Sequence, residues 1–542
     1  MKEKFLCWQT SGWGLSLLLV LPIVAIFYTA AGESDEVFSH LMGTVMATYT
    51  ANTFWLVVST MVLALIFGLP AAWVMAMCRL PGEKILQWAL VLPLAMPGYI
   101  IGYIYTDWFD YAGPIQIFLR DSFGWQSVHD YWFPDIRSLG GASMVLALVL
   151  YPYVYLLARA AFLEQSTSLL QSARLLRCTP WESFRRVSLP LARPSIAVGL
   201  SLVAMETLGD FGTVSYFAVN TLTTAVYDTW LGYSNLNAAA KISAIMLMVI
   251  FLLISAERFS RRKQKLFQQE MEHGDDVRYV LRGPRKWLAM CWCWGLVAGA
   301  FALPLIQLGY YAWHYFADSW TPEFREYSLN SLQVSLVAAV LAVLLALIVN
   351  FYRRLDGRRM TLVPIRISSL GYAVPGTVLA IGVMIPLTQA DHLINDIANH
   401  LGLSRPGLVF SGTMVAIIFA FVVRFAAVAI GSIESSLTKV SPSLDMAAKT
   451  MGYASTRMLR RVHLPLIRRG CLIAGLLVFI ESMKELNAAL LLRPFNFETL
   501  ATYVFNFASD EQLELAALPA ILLVMVGLIP LVMVNRSLEK KH

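Results

Sequence analysis

Apolar runs long enough to cross a lipid bilayer recur along the whole chain. A transmembrane helix needs about 17–25 predominantly apolar residues. Only 14% of the 542 residues are charged, whereas soluble domains usually carry about 25%. The sequence therefore predicts an all-α polytopic membrane protein with twelve transmembrane helices and no separate soluble domain. The helices are expected near residues 12–30, 53–77, 86–106, 140–162, 194–218, 241–257, 288–312, 331–351, 362–387, 411–431, 468–492 and 515–534.

Lysine and arginine are concentrated in alternate loops. If the N-terminus is cytoplasmic, about 34 of the 42 Lys and Arg residues fall on the cytoplasmic side, where positive charge accumulates. Both termini are then expected in the cytoplasm. The net charge of +7 is accordingly a topology signal and not a footprint for nucleic acid. The first run is interpreted as a retained helix, and not as a secretory signal, because an equivalent run opens the second half.

The chain overlays on itself as two tandem halves. With a shift of 275 residues, Leu189-Pro190 meets Leu464-Pro465. Upstream the shift becomes 278, and "ANTF" at 51–54 meets "LNSL" at 329–332. The change between the two shifts indicates an insertion in a loop, as expected of a diverged duplication.

Each half holds six predicted helices, so both halves enter the membrane in the same orientation. Two such repeats are expected to be related by a pseudo-twofold axis along the membrane normal. We predict a first transmembrane domain at 1–265, a polar cytoplasmic linker at 266–286 and a second transmembrane domain at 287–542.

A basic loop follows the fourth helix of each half. In the second half, at 446–465, the preceding Ser441-Pro442 can start a short helix and Gly452 can end it. In the first half, at 171–190, the residues Thr179-Pro180-Trp181-Glu182 have the spacing of a capping box. The sequence thus predicts two short helices joined by a bend in each loop.

These loops resemble the EAA signature of permease subunits in binding-protein-dependent ABC importers. We name 171–190 the first EAA-like loop and 446–465 the second EAA-like loop. In that family the loop docks onto an ATPase subunit and passes on its closing motion. The resemblance implies a type I ABC importer permease fold. The residues it implies for coupling to the ATPase are Ala173, Arg177, Ala447, Ala448, Gly452 and Leu464.

The sequence contains no GxxxxGK[ST] phosphate loop, and no nucleophile–base pair stands out in the helices. The chain is therefore not expected to be an enzyme or to bind a cofactor itself. The resemblance implies two copies of an ABC ATPase subunit that carry ATP and Mg, and a periplasmic substrate-binding protein. It also implies a multi-pass protein of the bacterial inner membrane, with the lipid bilayer and no nucleic acid among its partners.

Ionisable residues interrupt two of the apolar runs. Charges inside a membrane cost at least ~2.5–3.5 kcal/mol each at a helix centre, which makes them functional candidates. In each run two acids are four residues apart, and this spacing predicts a shared helix face. Either the residues line the translocation pathway, or they form buried pairs with each other, with Arg424 or with backbone groups. They are Glu206, Asp210, Glu481, Lys484 and Glu485, and no metal ion is assigned to them.

Two stretches, 205–230 and 481–519, resemble the corresponding regions of ferric-iron permeases in this importer family. This implies that Fe(III), received from a periplasmic binding protein, is the passenger, and that ATP hydrolysis on a separate subunit drives its movement. Thiamine permeases share the fused architecture and are the alternative. A major-facilitator secondary transporter also has twelve helices, but the loop at 78–84 lacks its Gly-x-x-x-Asp-Arg pattern.

Overall fold

A computed structural model describes residues 2–32, 36–165, 171–172, 175–261, 278–356 and 358–539. The elements up to residue 261 begin with an N-terminal helix. They are α1 (Lys2–Ala30), α2 (Glu36–Thr44), α3 (Met46–Met77), β1 (Cys78–Arg79), α4 (Glu83–Ala89), a 3₁₀ turn (Leu92–Ala95), α5 (Gly98–Phe109), α6 (Pro114–Phe123), a second 3₁₀ turn (Val128–Asp130), α7 (Leu139–Leu163), α8 (Pro180–Ser183), a π turn (Phe184–Ser188), α9 (Leu189–Gly209), α10 (Gly212–Tyr216), α11 (Leu222–Leu231) and α12 (Leu236–Arg261).

The elements from residue 278 onward repeat much of this order. They are β2 (Tyr279–Val280), α13 (Pro284–Val297), a π turn (Ala298–Ala302), α14 (Leu303–His314), α15 (Phe316–Ser319), α16 (Pro322–Asp356), a 3₁₀ turn (Arg359–Thr361), α17 (Leu362–Ser368), a 3₁₀ turn (Leu370–Ala373), α18 (Gly376–His400), α19 (Met414–Thr438), α20 (Pro442–Thr450), α21 (Ser455–Met458), a π turn (Leu459–His463), α22 (Leu464–Lys484), α23 (Asn487–Leu492), α24 (Leu500–Ser509) and α25 (Leu513–Glu539).

Eleven helices in the described part of the chain are long and apolar enough to cross a membrane, or twelve when a bent pair counts as one span. The predicted number of spans is therefore confirmed. The bent pair is the third predicted span, which turns by 93° between Ala95 and Gly98. Pro97 accounts for the break, because proline has no N–H to donate and keeps the preceding residue out of the helical region.

The chain forms two compact units that do not follow the two sequence halves. The first unit comprises Met1–Thr44, Ala225–Leu247 and Ala317–Asn506. The second comprises Val45–Thr224, Met248–Phe316 and Phe507–His542. Each unit thus combines most of one half with helices from the ends of the other. The proposed boundaries at 265 and 287 stay a prediction about the duplicated sequence, and residues 266–277 of the linker lie outside the described residues.

The N-terminal helix illustrates this exchange in the first unit. Helix α1 packs against α16, α17 and α18, all from the second half of the sequence. The Ser16 hydroxyl donates to the carbonyl of Pro364 at 3.2 Å, and the Ser368 hydroxyl donates to Ser16 Oγ at 2.9 Å. These polar contacts fix the position of α1 against α17, the helix that begins the ninth predicted span.

The second unit contains the corresponding exchange, in which the C-terminal helix α25 packs against the 3₁₀ turn Leu92–Ala95 and α5 of the first half. The described end of the linker is also fixed in this unit. Cys78 pairs with Tyr279, and Arg79 with Val280, in a short parallel ladder between β1 and β2. Arg278 forms an ion pair with Glu83 at 3.1 Å beside the ladder.

Equivalent hydrogen bonds in the two units support the duplication. The Leu222 N–H donates to Thr53 Oγ1 at 3.0 Å, and the Leu500 N–H donates to Ser331 Oγ at 2.5 Å. Each hydroxyl comes from a long spanning helix and satisfies a backbone group at the start of a short helix. The preceding asparagines repeat the pattern, with Asn52 Nδ2 donating to the Asn220 carbonyl and Asn330 Nδ2 to the Glu498 carbonyl.

Removing either hydroxyl should therefore destabilise the protein to a similar extent. Thr53→Val and Ser331→Ala each leave a buried N–H without its acceptor, which costs about 1–3 kcal/mol. Thermal unfolding of the purified protein in detergent checks this. Ser201→Ala is the control, because that hydroxyl bonds within its own helix, to the Ala197 carbonyl. An unchanged unfolding temperature for both test variants would contradict the prediction.

Candidate functional site

The second EAA-like loop forms the two short helices that the sequence predicts. Helix α20 begins at Pro442, and the Ser441 side chain accepts a hydrogen bond from the Ser443 N–H. The predicted cap and first helical residue are thus confirmed. After the bend, α21 continues through a π turn into the spanning helix α22. The loop is therefore continuous with a membrane helix at its C-terminal end.

Gly452 ends the first of these helices, as predicted. Its φ of 75° lies in the left-handed region, which glycine adopts without steric cost. The Gly452 N–H donates to the Lys449 carbonyl and the Tyr453 N–H to the Ala448 carbonyl, both at 3.0 Å. This pair of bonds is the Schellman motif, which satisfies carbonyls at a helix end.

The residues implied for coupling in this loop divide into a packed and an exposed set. Ala448 is buried in a cluster with Phe351 and Met458. Ala447 and Leu464 are exposed, as are the large side chains of Met446 and Met451. One side of α20 therefore packs on the membrane helices while another presents apolar groups outward.

The first EAA-like loop has the predicted capping box at its second short helix. The Glu182 N–H donates to Thr179 Oγ1 at 3.3 Å, and the Thr179 N–H donates to Glu182 Oε2 at 2.9 Å. Large apolar side chains are again exposed, at Leu175, Leu176 and Trp181. Ala173, one of the predicted coupling residues, lies outside the described residues.

Arg177 occupies the position that corresponds to Gly452 under the 275-residue shift. Its φ is 57°, so an arginine adopts the left-handed conformation that the glycine adopts in the second copy. The π turns at Phe184–Ser188 and Leu459–His463 also match under this shift. The backbone geometry therefore supports the alignment of the two loops with a shift of 275 residues. The sequence of the first loop by itself supports this alignment only weakly.

The acidic residues do not lie as the sequence suggests. Helix α9 ends at Gly209 and α22 ends at Lys484, so Asp210 and Glu485 are in extended conformation just beyond the helices. The prediction of a shared helix face with Glu206 and with Glu481 is wrong. Apolar residues lie on both sides of each break and favour one continuous helix, and this led to the error.

Asp210 satisfies backbone donors at the break in the first half. Its Oδ1 accepts from the N–H groups of Thr213 at 3.0 Å and Val214 at 3.1 Å, and its Oδ2 accepts from Thr213 Oγ1 at 3.0 Å. These N–H groups belong to the first turn of α10, where no carbonyl of the helix can reach them. The carboxylate thus starts the short helix that follows the break.

Glu485 does the same at the corresponding break, and an arginine joins it. The Ala488 N–H donates to Glu485 Oε1 at 3.2 Å, and Arg424 Nε lies 3.3 Å from Glu485 Oε2. Arg424 Nη1 also donates to the Val374 carbonyl at 2.9 Å, where α18 is about to begin after Pro375. One guanidinium on α19 therefore connects the breaks of two different spans.

The remaining acids are more accessible. Glu481 forms an ion pair with Lys484 at 3.2 Å, and its side chain is 41% exposed. Glu206 on α9 is partly exposed. Lys484 therefore offsets the charge of Glu481, while Arg424 offsets that of Glu485. The described residues contain no group of three or more His, Cys, Asp or Glu side chains placed to hold a metal ion.

Sequence reasoning missed three polar residues that surround the second EAA-like loop. Asp445 contacts both Arg354 and His463, which are far apart in sequence. The sequence did not single out His463, which lies among arginines such as Arg461 and Arg468. Nothing in the sequence paired it with the other two.

Comparisons with known proteins agree with this architecture. Residues 41–265 match the model of the family described as binding-protein-dependent transport system inner membrane component. The molybdenum transport system permease protein ModB of Escherichia coli is 32% identical over 215 residues, which cover 37% of this chain and 90% of ModB. The chain belongs to this family.

Two further relatives show how far the similarity to this permease extends. The Fe(3+)-transport system permease protein FbpB 2 of Haemophilus influenzae is 26% identical, and the alignment covers 96% of each chain. The sulfate transport system permease protein CysW of Escherichia coli is 26% identical over 49% of this chain and 93% of its own length. The protein is thus an ABC permease with two fused transmembrane halves in an inner membrane.

Removing the guanidinium that connects the two breaks should destabilise the permease strongly. Arg424→Met leaves Glu485 buried without a cation, and breaking a buried pair in this way costs about 3–5 kcal/mol. The double variant with Glu485→Gln should recover part of the loss. Thermal unfolding in detergent measures both.

Lys484→Met is the matched control, because it breaks a more exposed ion pair, of a kind that contributes about 0–1 kcal/mol. If Arg424→Met unfolds at the same temperature as the unmodified permease, Arg424 does not hold the breaks together.

Proposed function

We propose that this permease moves Fe(III) from a periplasmic binding protein across the inner membrane, driven by ATP hydrolysis on a separate subunit. The observation that carries the proposal is the alignment with the Fe(3+) permease, which extends over 96% of both chains. The molybdenum permease matches over only one half of this chain. The fused arrangement is thus shared with the iron system along its full length.

The partners follow from the family. Two copies of an ABC ATPase subunit bind ATP and Mg and dock on the two EAA-like loops, while this chain binds no cofactor. The exposed apolar side chains of Leu175, Leu176 and Trp181, and of Met446 and Met451, suit such a protein interface. The excess of lysine and arginine in alternate loops supports a cytoplasmic position for both loops and both termini.

Coupling to the ATPase is assigned to the two bends and their neighbours. Arg177 and Gly452 set the direction of the chain at the bend of each loop. Ala447 and Leu464 are exposed for contact, and Ala448 packs the loop onto the membrane helices. Ala173 keeps the role that the family resemblance implies.

The intramembrane charges are assigned two roles in the translocation pathway. Glu206 and Glu481 occupy equivalent positions and are partly exposed, so we assign them to contact with the passenger. Fe(III) is a hard cation that prefers oxygen ligands of this kind. Asp210 and Glu485 hold the helix breaks that shape the path, and Lys484 limits the negative charge beside Glu481.

Uptake of radiolabelled Fe(III) tests the proposal. Cells that lack their own iron, thiamine and molybdate importers receive this permease with its ATPase and binding protein. We expect iron uptake that stops when the ATPase is inactivated, because transport against a gradient needs the hydrolysis step. Parallel assays with thiamine and molybdate identify other passengers. Thiamine or molybdate uptake without iron uptake would overturn the choice of substrate, and uptake that persists without the ATPase would overturn the mechanism.

A bulky residue at Gly452 should uncouple ATP hydrolysis from transport. A β-branched side chain in the left-handed region costs about 1–2 kcal/mol, so Gly452→Val should redirect the loop while the permease stays in the membrane. We expect the amount of iron transported per ATP to fall at least several-fold.

The chain offers a matched control for this variant. Arg177→Gly places glycine at the equivalent left-handed position of the first loop, where no steric cost arises, and coupling should be kept. Unchanged coupling in Gly452→Val would contradict the role of this bend.

A further inference from the structure

We propose that Arg354, Asp445 and His463 form a clamp that positions the second EAA-like loop on the membrane helices, so that movement of the loop moves these helices with it. This inference rests on the proposed function, because it assigns to these residues the transmission of the ATPase movement. They are positioning residues: they act through the loop and touch neither ATP nor the passenger.

The guanidinium of Arg354 lies at the centre of the clamp, near the end of α16. Its Nε donates to Asp445 Oδ2 at 2.8 Å, which connects α16 to α20. Its Nη1 donates to the Leu437 carbonyl at 2.6 Å and its Nη2 to the Val440 carbonyl at 2.8 Å. The Leu437 carbonyl lies in the last turn of α19, where a positive charge is favourable, and Val440 follows the end of that helix by two residues.

Asp445 extends the clamp to the beginning of α22. Its second oxygen, Oδ1, lies 2.6 Å from Nε2 of His463, the last residue of the π turn. Asp445 is thus held on one side by α16 and on the other by the segment that enters the membrane. Four helices, α16, α19, α20 and α22, are connected through one carboxylate and one guanidinium.

The side chains of the clamp are buried, so the loss of any one contact is costly. The side chains of Arg354 and Asp445 are 14% and 15% exposed, and that of His463 is fully buried. A buried charged group that loses its partner is strongly destabilised. The loop therefore cannot separate from the helices unless the whole network opens, and this resistance is what a transmission element needs.

An apolar cluster packs against the clamp. The Phe351 ring lies edge-on to His463, with centroids 5.4 Å apart, and edge-on to Trp8 of α1, with centroids 4.9 Å apart. Ala448 and Met458 from the two short helices complete this cluster. The loop is thus held by apolar contacts and by directed polar contacts on the same helix ends.

The first half of the sequence has no equivalent charges. The positions that correspond to Arg354, Asp445 and His463 under the two shifts are Ala76, Leu170 and Ser188. These three side chains are uncharged, so the equivalent positions of the first loop cannot form the same clamp.

The mobility of the loop provides a test that does not depend on transport. A spin label is attached at exposed Lys449→Cys, in the full permease with its six natural cysteines replaced. Asp445→Asn should shift the spectrum toward faster motion, because one charge of the clamp is lost. His463→Phe should act in the same direction, since it keeps an aromatic ring against Phe351 but removes the nitrogen that meets Asp445.

The control is Glu434→Gln, which removes the acid paired with the neighbouring Arg353 and leaves the clamp intact. His463→Gln, which retains an amide donor toward Asp445, should recover part of the rigidity. If Asp445→Asn fails to insert, His463→Phe carries the test by itself. Motion equal to that of Glu434→Gln in every inserted variant would overturn the clamp.

The second measurement is the ratio of ATP hydrolysed to Fe(III) transported in proteoliposomes with the ATPase and the binding protein. We expect the ratio to rise at least five-fold in Asp445→Asn and His463→Phe, and to stay unchanged in Glu434→Gln. A looser loop with an unchanged ratio would overturn the transmission role. If the unmodified permease transports no iron while the mobility data behave as expected, the proposed passenger fails and the clamp stands.

Discussion

A membrane offers no water to a backbone group that has lost its partner, and the arrangement of this permease depends on how it meets that constraint. Where a helix breaks within the apolar region, the freed N–H and C=O groups must find partners inside the protein. The third and fifth spans of the first half break near Pro97 and Asp210, and their counterparts break near Pro375 and Glu485. Asp210, Glu485 and Arg424 are placed at these breaks or beside them.

The two halves solve the same backbone problem with different side chains. In the first half, Asp210 uses the N–H groups of the next helix together with a threonine hydroxyl. In the second, Glu485 uses one N–H and the guanidinium of Arg424. The position of Arg424 corresponds to Val149 in the first half. After duplication the backbone path was retained, while the charges diverged, and the EAA-like loops show the same pattern at Arg177 and Gly452.

Much of this fold could be predicted from the sequence, because the length of apolar runs and the positions of proline and glycine are local properties. The spans, the two caps and the bend at Gly452 follow from such signals. The ends of α9 and α22 could not be predicted, since apolar residues lie on both sides of "TLGDFG" and "SMKELN" and favour one continuous helix, although the backbone turns there. The sequence also did not show that helices of one half pack against helices of the other, because an apolar helix face does not specify which helix it packs against. The paired "NT" and "NS" within apolar runs were a usable signal for the hydroxyls at 53 and 331.

The position of α1 has a consequence for biosynthesis. Its hydrogen bond from Ser16 reaches Pro364, 348 residues further along the chain. Chains grow at about 5–20 residues per second, so α1 must remain in the bilayer for roughly 20–70 seconds before its partner exists. During this time its polar serine faces lipid or a temporary companion. Helix α1 is therefore made long before the residues that surround it in the folded permease, and it can reach its final environment only after they follow.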